Sequence, residues 1–117
     1  MSTEPEILTL AQAARRAVDV VDHEAADDAL SDFLARFEDR DEPVTAVEQP
    51  DELFAEAAGS IDPDDPALHM AAAVASYLSF KRDQVDAQPQ DLLRRAAEAE
   101  YDGHPPEAVQ AWLSQRL

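Results

Sequence analysis

Apolar residues recur at three- and four-residue intervals along most of the chain, the spacing that lays one face of an α-helix against a core. The first such segment runs from Glu4 to Val21, with Ile7, Leu10, Ala14, Val18 and Val21 on one face and Thr3 and Glu6 at the spacing of a capping box. The second runs from Glu24 to Phe37, its stripe being Ala26, Leu30, Phe33, Leu34 and Phe37. Neither glycine nor proline separates the two, but Asp22 is a candidate cap for the second helix, and the pattern is read as a break rather than as one long helix. Glu38 to Gln49 is charged and contains Pro43, and its short run Val44-Thr45-Ala46-Val47 has weak strand character with no second strand to pair with, so it is expected to be a loop.

Proline marks most of the remaining starts, as expected of a residue tolerated in a helix's first turn. A third helix is predicted from Pro50, carrying Leu53, Phe54, Ala57 and Ala58 and ending near Gly59. The turn Asp62-Pro63-Asp64-Asp65-Pro66 leads into a fourth, with Asp65 as cap, that reaches about Arg82. Its segment Met70 to Ala75 is apolar nearly all round, which predicts a helix buried on several sides at the centre of the fold. A fifth spans Pro89 to Tyr101. After a break at Gly103-His104-Pro105-Pro106, a sixth runs from Pro105 to the end, with Ala108, Val109, Trp112 and Leu113 as its stripe. The expectation is one all-α domain over residues 1–117, a compact bundle of about six helices in three hairpins.

A short α-solenoid is the competing arrangement. Arg15-Arg16-Ala17, Ala29 and Phe33-Leu34 match Arg94-Arg95-Ala96, Ala108 and Trp112-Leu113 at one constant offset, with a third helix pair between them. The stretch from Ala97 through Gly103 to Ala108 resembles a tetratricopeptide repeat, which would imply stacked helix pairs. Few signature positions match, however, and the middle pair does not keep the register.

Charge changes the picture more than any motif. The chain has 26 acidic residues against nine basic ones, a net charge of −17, and Lys81 is its single lysine. Self-repulsion of that size opposes a compact state at ordinary ionic strength. In molar salt the screening length falls to about 3 Å, and carboxylates then serve mainly to keep the surface hydrated. The acids are spread through the chain among alanine-rich apolar positions rather than gathered in a tail. The composition is therefore read as adaptation to a salt-rich cytoplasm, and net charge loses its usual value as a clue to partners. The start Met1-Ser2-Thr3-Glu4-Pro5-Glu6 lacks the basic opening of a secretion signal, and no apolar run has the ~20 residues of a membrane span, so a cytoplasmic location is expected.

Candidate chemistry is sparse. Without cysteine there is no thiolate ligand or nucleophile. His23 and Asp27 share a helix face, but His69 and His104 lie far along the chain and nothing in the pattern unites them in a metal site. Asp62, Asp64 and Asp65 imitate the opening of a calcium loop, yet Ala73 stands where its closing glutamate belongs. Two glycines leave little means of wrapping backbone amides round a phosphate, and no nucleophile elbow or zinc-protease motif occurs. No catalytic residue, cofactor, metal or small-molecule ligand is expected. The basic doublets Arg15-Arg16, Lys81-Arg82 and Arg94-Arg95 could touch DNA. Their alanine, leucine and acidic neighbours instead suggest pairing with carboxylates, such as Arg94 with Glu98 one turn on.

The function expected is therefore a non-enzymatic helical module that binds a protein partner or a second copy of itself. The alternative is a small DNA-binding or transcription-associated factor. Tyr101, Val109, Trp112, Leu113 and Leu117 gather the C-terminal hairpin's large apolar side chains and form the candidate interface. Circular dichroism across a potassium chloride series tests the reading of charge: helicity and melting temperature should both fall as salt is withdrawn from molar to millimolar levels.

Overall fold

The computed structural model describes residues 8–22, 27–81, 84 and 87–116. The expected Thr3–Glu6 capping box, His23, Arg82 and Leu117 lie outside them. The described residues form α1 (Leu10–Val21), α2 (Asp28–Ala35), a single 3₁₀ turn (Val44–Ala46), α3 (Pro50–Ile61), α4 (Pro66–Phe80), α5 (Pro89–Tyr101) and α6 (Glu107–Arg116).

The helix starts follow from hydrogen bonding. At α1 the Thr9 hydroxyl accepts from the Gln12 amide while the Gln12 side chain accepts from the Thr9 amide, a reciprocal capping box six residues beyond the predicted one. Asp27 starts α2 by accepting from the amides of Ala29 and Leu30, and its own amide donates to the Asp22 carboxylate. Asp22 itself closes α1, its N–H donating to the Val18 carbonyl. The chain therefore breaks between α1 and α2, as the pattern predicted, and two aspartates five positions apart hold the break. At α4, Asp65 accepts from the Ala67 amide ahead of Pro66. Helix α6 begins two residues later than expected because the Pro106 carbonyl accepts its first helical bond, from Gln110.

Two features depart from the pattern. Gly59 does not end α3; it lies within the helix, which stops at Ile61 where Asp62 turns extended. Glycine ends a helix by adopting positive φ, and that conformation occurs at Gly103, which follows Asp102 at φ 52° beyond α5. Within the expected loop Val44–Ala46 form a 3₁₀ turn, and a strand-like pairing falls just before it, at Thr9 and Pro43. There the Leu10 and Ala11 amides donate to the carbonyls of Glu42 and Arg40, and the Val44 amide donates to Leu8. The loop thus acts as a strap that satisfies orphan donors at the start of α1, while Val44 is buried beneath it.

Helix α4 is the centre, as its all-round apolarity predicts. It touches each of the other five helices. Leu68, Met70, Ala71, Val74, Ala75 and Leu78 are completely buried. Its two serines are buried as well, and each hydroxyl donates back to a carbonyl one turn earlier, Ser76 to Ala72 and Ser79 to Ala75, so neither is an unpaired polar group in the core. Alanines on α1, α3, α4 and α5 let neighbouring backbones approach. Bulk comes from elsewhere, notably the tilted rings of Phe33, Phe37 and Phe54, whose centroids stand 4.9–6.3 Å apart across the α2–α3 contact. Phe37 stays in this cluster although α2 ends at Ala35.

Helix α1 packs on α5 as well as on α4. In a solenoid each helix pair meets its sequence neighbours alone, so contact between the first and third pairs makes this a bundle wrapped round α4. Among the described residues no helix is long and apolar enough to cross a membrane. A Cβ built at Gly59 meets nothing within 4 Å, and its backbone is helical. Gly59→Ala should therefore raise stability by about 0.5–1 kcal/mol in urea titration, whereas the same change at Gly103 should lower it.

Candidate functional site

The proposed interface on the C-terminal hairpin is largely consumed inside the chain. Val109, Trp112 and Leu113 are buried in the core, Trp112 at 9 % exposure, and Tyr101 is partly buried against the same cluster. Sequence pattern marks these residues as apolar but does not say which face of α6 meets α4. The indole closes the end of the core and carries the Arg116 guanidinium 4.0 Å above its ring. That arginine also stands in the last turn of α6, where positive charge suits the helix dipole.

Beside Trp112 an open depression of about 390 Å³ is rimmed by Asp22, Asp27, Asp65 and Arg116. Three carboxylates in one place would suggest metal or proton-transfer chemistry. Each, however, is engaged by backbone amides: Asp22 by Asp27, Asp27 by the start of α2, and Asp65 by the start of α4. They are helix caps, and among the described residues no group of three histidine or acidic side chains is placed to hold a metal. The turn that imitates a calcium loop is similarly occupied. An Asp62 oxygen accepts from the Asp64 amide, and His69 hydrogen-bonds through Nε2 to the Pro63 carbonyl, tying the turn to α4. His104 is exposed in the turn before α6.

Several of the arginines are also committed. Arg16 binds Asp19 at 2.9 Å and reaches the Ala87 carbonyl at 2.9 Å, and Arg95 donates to the Gln84 side chain. Both thus converge on the connection between α4 and α5. Arg94 pairs with Asp91 at 3.4 Å, not with Glu98 as the spacing suggested. Helical side chains lean toward the N-terminus, which favours the partner one turn back. Arg40 grips Glu42 through Nε and Nη2, holding the Glu42 carboxyl below its ordinary range and raising its own pKa through the same hydrogen bonds. Arg15 and Arg16 border a shallow depression with Gln12 and Asp19 on the outer face of α1.

One large apolar side chain remains in solvent among the described residues. Phe80, the last residue of α4, is 64 % exposed. Ala73, Ser76, Tyr77 and Phe80 share one face of α4 and floor a groove of about 250 Å³. Asp51, in the first turn of α3, forms one wall, Ala99 and Glu100 in the last turn of α5 form the other, and Lys81 stands at the mouth. Along this face cover is lost toward the C-terminus: Ala73 and Ser76 are buried, Tyr77 is partly exposed and Phe80 is open. The groove is smaller than the roughly 300–1,000 Å³ of small-molecule sites and suits one or two inserted side chains. The sequence reading missed Phe80 because it closes a run that is apolar on every side. The available signal was its neighbour: a phenylalanine beside the chain's single lysine stands where burial ends.

Comparison with family models, with curated proteins and with solved structures gave no match.

Tyr101 lies next to the α5 wall. Half-burial raises its pKa above the ordinary 10.0, and the neighbouring Glu100 charge raises it further. A raised folded-state value means that the stability gained by keeping the phenol neutral is complete below pH 10.0 and is lost as pH climbs through the folded value. Tyrosinate absorbance should therefore include a late-titrating component that Tyr101→Phe removes, and the variant should lose less of its melting temperature in alkali.

Proposed function

We propose that this chain is a non-enzymatic helical module that docks a protein partner through the groove headed by Phe80, and that it works in a salt-rich cytoplasm. The exposure of Phe80 carries the reading. A single surface phenylalanine would be unremarked, but this one continues a stripe of Ala73, Ser76 and Tyr77 into a groove walled by two further helices. Aromatic side chains are enriched in protein interfaces, and a few of them seated in pockets carry much of the binding. High salt raises the cost of leaving such a ring in water where the ions are excluded from apolar surface, and the charge of −17 with one lysine is the composition that tolerates such salt.

The carboxylates near Trp112 are held as helix caps, which supports a binding role over acid–base catalysis. The DNA-binding alternative is weakened where the arginine doublets are engaged within the chain: Arg16 binds Asp19 and the Ala87 carbonyl, Arg94 pairs with Asp91 and Arg95 donates to Gln84.

Phe80→Ser tests the reading. The variant should melt within a degree or two of the wild type, since a largely exposed ring contributes little to the core. Affinity capture from the native cytoplasm in molar salt, run in parallel with both baits, should recover a species that the variant loses. Light scattering on each bait distinguishes a different protein from a second copy. Equal recovery by a folded variant would remove the groove from the function.

A further inference from the structure

The electrostatics of the groove indicate what kind of segment fits it. Two helices end at its border, α4 at Phe80 and α5 at Tyr101. The C-terminal end of a helix carries a partial negative charge that favours cations. The last turn of α5 holds no basic residue; Glu100 stands there instead and faces the groove, a carboxylate placed beside carbonyls that repel it. Asp51 contributes a second carboxylate from the opposite wall, at the start of α3. Lys81 caps the end of α4 at the mouth and offsets one of the two. The groove is thus apolar along its floor and negative on both sides.

Resting on the docking role proposed above, we infer that the groove recognises an amphipathic segment of another protein, an apolar side chain on Tyr77 and Phe80 with arginine or lysine directed at Asp51 and Glu100. A second copy of this chain is the poorer occupant: it would bring another surface of net charge −17 against the same two acids. A basic segment relieves the repulsion between Glu100 and the end of α5. The match also supplies selectivity, since an acidic segment with the same apolar face meets like charge on both walls.

Two synthetic helical peptides with one apolar stripe, flanked by lysine in one and by glutamate in the other, provide the test. Binding is measured by nuclear magnetic resonance titration at the lowest potassium chloride concentration that keeps the fold. The lysine peptide should bind at least about tenfold more tightly than the glutamate one, with shifts centred on Tyr77, Phe80 and Ala99. General attraction to an acidic protein is controlled by two double variants that remove the same charge. Asp51→Asn with Glu100→Gln should weaken the lysine peptide about tenfold, whereas Asp39→Asn with Glu56→Gln, exposed and away from the groove, should change it by less than about twofold. Equal effects of the two double variants, or equal binding of the two peptides, would overturn the charge match. Phe80→Ser separates the two levels: if this folded variant binds the lysine peptide as the wild type does, docking at Phe80 itself fails. If Phe80→Ser weakens binding and the double variants do not differ, docking stands and the basic preference falls. Circular dichroism on every variant excludes unfolding as the cause.

Discussion

Everything in this structure depends on burying α4 along all but its last turn. A helix with no polar face has no orientation that leaves part of it in water cheaply, so it must be enclosed. Five helices do this, and alanine at most of their contacts allows them to close in. Small side chains lower the apolar area that each contact removes from water. The compensation comes from the number of close-packed neighbours and from the Phe33, Phe37 and Phe54 cluster at one flank. The backbone-bonded hydroxyls of Ser76 and Ser79 let α4 keep two polar residues in that environment.

The acidic residues have a structural share in this arrangement. Asp22, Asp27, Asp62 and Asp65 accept backbone amides at helix boundaries. A carboxylate at a helix start also meets the positive end of the helix dipole. Part of the negative charge is thereby spent on defining where helices begin. The arginines play the complementary part between elements: Arg16 from α1 and Arg95 from α5 both reach the α4–α5 connection, fixing the point where the central helix hands over to its neighbour.

The groove at Phe80 is a consequence of the same enclosure. Helix α4, at 15 residues, is the longest of the six, and its neighbours do not cover its last turn on the face of Ala73, Ser76, Tyr77 and Phe80. With Trp112 buried in the core, Phe80 is the one large apolar side chain left exposed among the described residues. The order of burial along the face, complete at Ala73 and lost at Phe80, turns the end of a core helix into the recess on which the proposed function rests.

Much of the architecture was legible in the sequence because it depends on local chemistry. Periodicity and first-turn prolines located α4 and α5, the latter from Pro89 to Tyr101 as observed, and the apolar run from Met70 to Ala75 announced a central helix. The break between α1 and α2 was legible at Asp22, but Asp22 closes α1, and the cap of α2 expected of it is Asp27. What depends on long-range contact was not. The box at Thr9 was passed over for Thr3, and nothing local says that Arg40 and Glu42 will deliver carbonyls to the start of α1. Gly59 was read as a stop because glycine is permitted to stop a helix; whether it does is decided by the φ it adopts. Trp112 and Phe80 are equally apolar as letters. Only the way α6 and α5 lie against α4 buries the first and exposes the second, since burial is a property of what the rest of the chain places around a side chain.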